Sequence, residues 1–138
     1  MNRVLMSALA AAFALSAAPA HAQEEWKWGV NFYDLQLHSI PADDSAVAAD
    51  ICSSAFIAMV AFMQDEGGDT DTIERLSDFG FAWKEEGAHR RDVDLETYND
   101  KYLVPAFGLM RNLDIDHHTF WIEYCLKLTQ RSVEAREE

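Results

Sequence analysis

The longest apolar stretch that follows the N-terminal segment covers residues 46–64 and has the sequence AVAADICSSAFIAMVAFMQ. Apolar or small side chains occupy nearly every position, with polar breaks only at Asp50, Ser53, Ser54 and the final Gln. A helix that is apolar on all sides is ordinarily the central helix of a core. We therefore predict a buried helix here, started by a capping side chain within the segment 43–45.

Three further stretches repeat apolar side chains every three or four residues, which predicts three amphipathic helices. Capping and turn residues set their expected limits: Asp69 or Asp71 to about Gly87, Asp92 or Asp94 to about Arg111, and Asp116 to about Val133. Four helices with short links and no sheet pattern predict an all-α fold, a small four-helix bundle-like domain.

One of these helices contains a proline. Pro105 lies inside the third helical pattern, which continues as far as Arg111. Proline lacks an amide donor, and its ring clashes with the preceding helical turn. The sequence therefore predicts a kink or break at about Val104.

An aromatic segment, residues 23–42, precedes the helical domain at 43–138. Its side chains Trp26, Trp28 and Phe32 alternate with polar or small residues, as in a strand, and Tyr33 follows. Because a lone strand has no pairing partner in a helical chain, we expect an extended or partly helical arm over the bundle. Strand addition to a partner protein is the alternative. These aromatic side chains, Trp26, Trp28, Phe32 and Tyr33, are the candidate partner-binding residues.

The N-terminal residues 1–22 have the features of a secretory signal peptide. Arg3 is followed by an apolar run, and Ala20-His21-Ala22 fits the small-x-small cleavage pattern. A run of about a dozen apolar residues is too short to span a bilayer. We therefore expect a cleaved signal, a periplasmic location and a mature protein that is not embedded in the membrane.

The net charge argues against nucleic-acid binding, and the cysteine content indicates a disulfide. The whole chain carries a net charge of −13, and removing Arg3 with the signal makes it −14. Such an acidic surface repels nucleic acid. The two cysteines, Cys52 and Cys125, are expected to pair in an oxidising compartment and to join the first long helix to the last one. Two buried free thiols are the alternative.

A short cluster near the last helix contains metal-ligating residue types. Asp114, Asp116, His117 and His118 lie within five residues of one another and could bind a divalent metal ion. Against this, an Asp at a helix start is explained by capping, and adjacent histidines point about 100° apart on a helix. We expect no cofactor, and a divalent metal at these four residues is the alternative.

Motifs for enzymatic chemistry are missing from the sequence, which has neither a Gly-x-Ser-x-Gly elbow nor a His-Glu-x-x-His pair. We therefore expect a non-catalytic binding or interaction role in the cell envelope, with a protein or a small ligand as the partner. The layout of exported helical domain and two helix-borne cysteines is similar to that of acid-stress chaperones and of toxin-immunity proteins. That similarity of layout, without a shared motif, makes these two roles further alternatives.

Overall fold

The computed structural model describes residues 29–137, and that part of the chain consists of helices and turns without a strand. The helices are α1 (Phe32–Leu37), α2 (Ala46–Asp65), α3 (Thr70–Arg91), α4 (Leu95–Tyr98), a π-helical segment (Asn99–Leu103), α5 (Val104–Arg111) and α6 (Ile115–Glu137). The predicted all-α fold is confirmed: α4, the π-helical segment and α5 together make up the expected third helix, and α1 is a short helix within the predicted arm. The predicted signal segment, residues 1–22, lies outside the described residues.

Short polar side chains cap the starts of five helices, including α1, where Asn31 accepts a hydrogen bond from the amide of Asp34. Ser45 caps α2 by accepting a hydrogen bond from the amide of Ala48, and Asp69 and Asp94 cap α3 and α4 in the same way. The predicted start of the last helix was wrong by two residues. Asp114, and not Asp116, is the capping residue, because its Oδ1 accepts the amide hydrogen of His117 at 3.1 Å.

The expected end of the second helix near Gly87 was also wrong, since α3 continues to Arg91. Gly87 is buried in the helix interior, where a Cβ would lie 2.3 Å from both Cζ and Oη of Tyr98. This glycine therefore permits a close approach of α3 to the Tyr98 ring and does not terminate the helix. The left-handed residue that ends α3 is Asp92, with φ of 56°.

The irregularity expected at Val104 takes the form of a π-helical turn. The amide of Val104 donates to the carbonyl of Asn99, five residues back, and α5 begins directly afterwards. A π-helical turn contains one residue more than an α-helical turn, and this wider turn relieves the clash between the ring of Pro105 and the preceding helical turn. The chain thus remains helical from Leu95 to Arg111 despite the proline.

Helix α2 forms the centre of the core and packs against α3, α5 and α6. By length and composition it could cross a membrane, with a mean hydropathy of 1.9, and 61% of that apolar window is buried inside the protein. Its neighbours supply the large core side chains Trp83, Met110, Trp121 and Leu128.

A disulfide joins Cys52 of α2 to Cys125 of α6, as predicted, with the two Cα atoms 5.3 Å apart. The cysteines are separated by 73 positions. Chain-entropy arguments assign a loop of that length roughly 4–5 kcal/mol of stabilisation. The bond therefore holds the first long helix, α2, against the last one, α6, without depending on the arm that precedes α2.

Candidate functional site

The described part of the predicted arm, residues 29–42, packs its helix α1 against α5 and α6. Leu35 is fully buried, and its carbonyl accepts a hydrogen bond of 2.9 Å from the indole Nε1 of Trp121. The ring of His38 stacks on Phe120, with centroids 3.8 Å apart and planes within 4°. The arm is thus partly helical and covers an aromatic face of α6, here defined as Phe120 and Trp121.

Two histidines meet where α1 ends. Nε2 of His38 lies 2.7 Å from Nδ1 of His117, within hydrogen-bonding distance. His38 adopts a left-handed conformation, φ 56°, which turns the chain out of α1. Outside glycine, this conformation is uncommon, although histidine is among the residues enriched in it. The turn brings the His38 ring to α6, where His117 lies in the first helical turn.

One carboxylate lies beside this His38–His117 pair. Oδ2 of Asp114 is 3.7 Å from Nε2 of His117, the ring nitrogen that faces away from His38. The pKa of His38 is lowered by burial and by the proximity of His117, whereas Asp114 acts in the opposite direction. Burial therefore favours the neutral form of the His38 imidazole in the docked arm.

The four residues predicted as metal ligands do not converge on one point. Asp114 and His117 lie together, Asp116 is exposed in the first turn of α6, and His118 is buried, with 8% of its surface exposed. Burial lowers the pKa of His118. Among residues 29–137, no group of three or more His, Cys, Asp or Glu side chains is arranged to hold a metal ion. His38 and His117 could supply two nitrogen ligands, fewer than the three or four of usual zinc sites.

Of the four predicted aromatic contact residues, the structure describes Phe32 and Tyr33. Trp26 and Trp28 lie outside the described residues, and Phe32 is partly buried. Tyr33 is 66% exposed, and Leu37, one helical turn further on, is 55% exposed. Side chains four residues apart lie on the same side of a helix. The outer side of α1 therefore presents two neighbouring apolar side chains to solvent.

The inner side of α1 includes a carboxylate that is poorly compensated. Asp34 is buried, and its Oδ2 accepts a hydrogen bond from the Asn31 side chain. Its Oδ1 is buried without any hydrogen-bond partner. An unsatisfied buried acceptor costs about 1–3 kcal/mol, and more when charged. Docking of the arm is therefore opposed by Asp34 and favoured by Leu35 and the contacts of His38.

A second polar cluster ties α2, α3 and α4 together. Asp50 is 2% exposed and accepts hydrogen bonds from the Arg91 guanidinium and from the Tyr98 hydroxyl, the latter at 2.9 Å. The Tyr98 hydroxyl also lies 3.1 Å from Oγ of Ser53, and Arg91 stacks on the ring of Tyr102. Burial and the charge of Asp50 raise the pKa of Tyr98. The buried carboxylate of Asp50 is thus paired with Arg91 and hydrogen-bonded by Tyr98, and these three residues form a clamp that joins α2, α3 and α4.

Sequence reasoning missed His38 and the partners of Asp50. No pattern connects His38 with His117, because 79 positions separate them. Asp50 gave a usable signal, since a single carboxylate in an apolar helix requires a partner.

No family model, curated protein or solved structure matches this chain significantly. The functional argument therefore depends on the geometry of the arm and its contacts.

Proposed function

We propose that this chain is a non-catalytic binding protein of the cell envelope and that the arm contacts a partner protein. The observation that carries the proposal is the exposure of Tyr33 and Leu37 on the outer side of α1. On the inner side of the helix, Leu35 is buried and its carbonyl accepts the hydrogen bond from Trp121. Tyrosine is enriched among residues that dominate binding energy, because its large ring loses little conformational entropy. A helix that is already formed and docked before binding also reduces the entropic cost of binding.

The disulfide supports the envelope location. Pairs such as Cys52–Cys125 form and persist in oxidising compartments and are rare in the cytosol. Export by the predicted signal peptide would take the chain to such a compartment. The bond also keeps α2 and α6 together, so that the face on which the arm rests stays formed in the absence of a partner.

Photo-crosslinking in the native cells tests this proposal. A benzophenone amino acid replaces Tyr33 in one full-length variant and Phe81 in the matched control, since Phe81 is 54% exposed on α3. A discrete protein adduct from position 33 but not from position 81 supports the proposal. Equal adducts from both positions, or none from either, contradict it. An adduct with a secreted cell-wall toxin would assign the immunity role.

A divalent metal ion is the second candidate, favoured by the facing nitrogens of His38 and His117 and by Asp114 beside the pair. Metal analysis and native mass spectrometry of the protein from its own periplasm test it. An ion bound stoichiometrically to the parent protein and lost in His117→Asn supports this function. A bare oxidised monomer excludes tight metal binding.

A further inference from the structure

We propose that one exposed side of α6 docks a basic amphipathic helix of a partner protein. This side, here called the α6 stripe, is defined by Ile115, Leu126 and Val133, which are 60%, 39% and 46% exposed. The inference goes beyond the contact of the arm with a partner. It concerns different residues, and its test does not involve Tyr33 or Leu37.

The three side chains of the α6 stripe point in nearly the same direction. Leu126 follows Ile115 by eleven positions and precedes Val133 by seven. At about 3.6 residues per turn, each of these intervals returns to within about 20° of the starting direction. The stripe therefore follows the helix axis for about 27 Å. Between its ends lie Thr119, which is exposed, and Ile122, which belongs to the core.

Other sides of α6 are engaged within the protein. Cys125 is bonded to α2, and Trp121 is fully buried in the core. The arm contacts Phe120 and His117, which are turned by roughly 140–200° from Ile115 around the helix axis. The α6 stripe thus faces away from the arm, so that a partner can reach it while the arm stays docked.

The shape of the stripe favours a helix as the occupant. A straight and narrow apolar row matches the apolar row of a second helix, because both repeat about every three to four residues. The side chains of Ile115, Leu126 and Val133 form no hydrogen bonds, so that apolar side chains of the partner must supply the contact. A partner helix laid along α6 can meet all three of them at once.

The charge beside the stripe favours a basic partner. Glu123 lies three positions before Leu126, and Glu134 directly follows Val133, which places both carboxylates about 60–100° round the helix on the same flank. Neither of these two glutamates forms an ion pair in the described part of the chain. Lys127 lies on this flank as well, so its net charge stays negative. Basic side chains beside the apolar row of a partner helix would complement it.

A second copy of this chain fits the stripe less well. Each copy carries a net charge of −13. An antiparallel pair of α6 helices would place the acidic flank of each copy against the same flank of the other, and like charges in contact oppose binding. In a parallel pair, Arg136 would be the one basic side chain that the opposite flank offers. Charge therefore selects a partner of opposite sign.

Synthetic peptides test the docking of such a helix on the oxidised protein. The probe has about 20 residues, enough to span the stripe, with leucine at every third or fourth position and lysine beside this apolar row. Its controls are the same peptide with glutamate for lysine and a scrambled peptide of identical composition. Fluorescence anisotropy should show the basic amphipathic peptide binding at least tenfold more tightly than either control. Equal affinities, or no binding of the basic peptide, overturn the proposal.

Serine substitutions locate the apolar contact. The double variant Leu126→Ser/Val133→Ser should bind the basic peptide at least tenfold more weakly than the parent protein, although its charge is unchanged. Phe81→Ser is the matched control, because Phe81 is 54% exposed on α3 and lies outside the stripe. An equal loss in both variants, or no loss in the double variant, overturns the proposal. Circular dichroism and urea denaturation verify that the variants are folded.

Neutral substitutions test the acidic flank. Glu123→Gln/Glu134→Gln should weaken binding of the basic peptide about threefold or more. Asp65→Asn/Glu66→Gln removes the same charge at the exposed end of α2 and should leave the affinity unchanged. If both double variants weaken binding equally, the peptide is attracted by the general charge of the protein and the proposal fails.

Crosslinking in the native cells tests whether a natural partner uses the stripe. A benzophenone amino acid replaces Leu126, and mass spectrometry sequences the peptide joined to it. We expect a segment with apolar residues at helical spacing and a surplus of lysine and arginine. An adduct with a second copy of this chain, an adduct with an acidic segment, or no adduct overturns the proposal. Adducts from position 33 test the arm independently, so that either proposal can fail alone.

Discussion

The indole nitrogen of Trp121 and the backbone carbonyl of Leu35 form a buried hydrogen bond of 2.9 Å across a separation of 86 positions. Both side chains are fully buried. The bond gives this carbonyl of α1 a second donor from α6, beside the longer 3.4 Å hydrogen bond from the His38 amide. It therefore fixes where the arm lies and leaves Tyr33 and Leu37 on the outer side.

Trp121→Phe should loosen the arm. The substitution removes the indole donor from the Leu35 carbonyl, which keeps only the 3.4 Å hydrogen bond from the His38 amide, and it opens space under α1. The expected loss is about 2–4 kcal/mol in the free energy of unfolding. Urea denaturation measures the loss, and hydrogen exchange of the Ser39 amide, which donates to the Asp34 carbonyl, reports the arm. Trp83→Phe is the control, since it removes an indole bond that does not involve the arm. Protection of Ser39 that survives in Trp121→Phe would contradict this role.

Gly87→Ala should destabilise the protein although alanine is the better helix former. A Cβ at this position meets the Tyr98 ring at 2.3 Å, so the ring and its bond to Asp50 must move. Overpacking of this kind costs about 1–3 kcal/mol or more. Thermal or urea denaturation of the variant measures the effect.

Gly108→Ala provides the matched control, because a Cβ at Gly108 meets nothing within 4 Å. This variant should gain up to about 1 kcal/mol from helix propensity. If Gly87→Ala and Gly108→Ala stabilise equally, the close approach of α3 to Tyr98 is not a constraint on the fold.

Asp50→Asn should cost about 3–5 kcal/mol, because it leaves the Arg91 guanidinium partly buried without its counter-charge. Asp65→Asn, at the exposed end of the same helix, should change stability by less than about 0.5 kcal/mol. Urea denaturation at neutral pH compares the two variants with the parent. A loss of under about 1 kcal/mol in Asp50→Asn would show that the clamp contributes little.

The helical fold was predictable from the sequence because its evidence is local. Apolar spacing and the capping residues Ser45, Asp69 and Asp94 specify where α2, α3 and α4 begin. The end of α3 was not predictable, because a glycine such as Gly87 ordinarily signals a helix end. Here Gly87 lies inside the helix, where the absence of a side chain leaves room for the Tyr98 ring of another helix. A tertiary contact thus overrode the local propensity of the glycine.

The candidate site was predictable only in part. His117 and Asp114 were recognised from their proximity in the sequence, but the partner of His117 proved to be His38 of the arm. That contact depends on the left-handed turn at His38 and on the docking of α1, which are properties of the packed chain. Composition and spacing carry no information about either.

Loss of the disulfide should cost about 2–5 kcal/mol. Cys52→Ala/Cys125→Ala removes the bond from the buried contact between α2 and α6, and urea denaturation measures the loss. Mass spectrometry of the native protein provides the companion test. Alkylation without a reductant should modify neither cysteine, and reduction should add about two hydrogen masses. Labelling of both thiols in the unreduced protein would contradict the pairing.

Acid should lower the free energy of unfolding through His118. Burial places the pKa of this residue below its ordinary value of 6.5, so the folded protein binds its proton later than the unfolded chain does. At higher pH, both states are neutral and the residue has no effect. As the pH falls below about 6.5, stability is lost at up to about 1.4 kcal/mol per pH unit, until the folded pKa is reached.

Urea denaturation between about pH 7.5 and pH 5.5 measures this slope in the parent and in His118→Gln. The variant should show a smaller change with pH, whatever its stability at any one pH, because glutamine does not titrate. His89→Gln is the control for replacing a histidine at an exposed position. An unchanged slope in His118→Gln would assign the acid sensitivity to other groups.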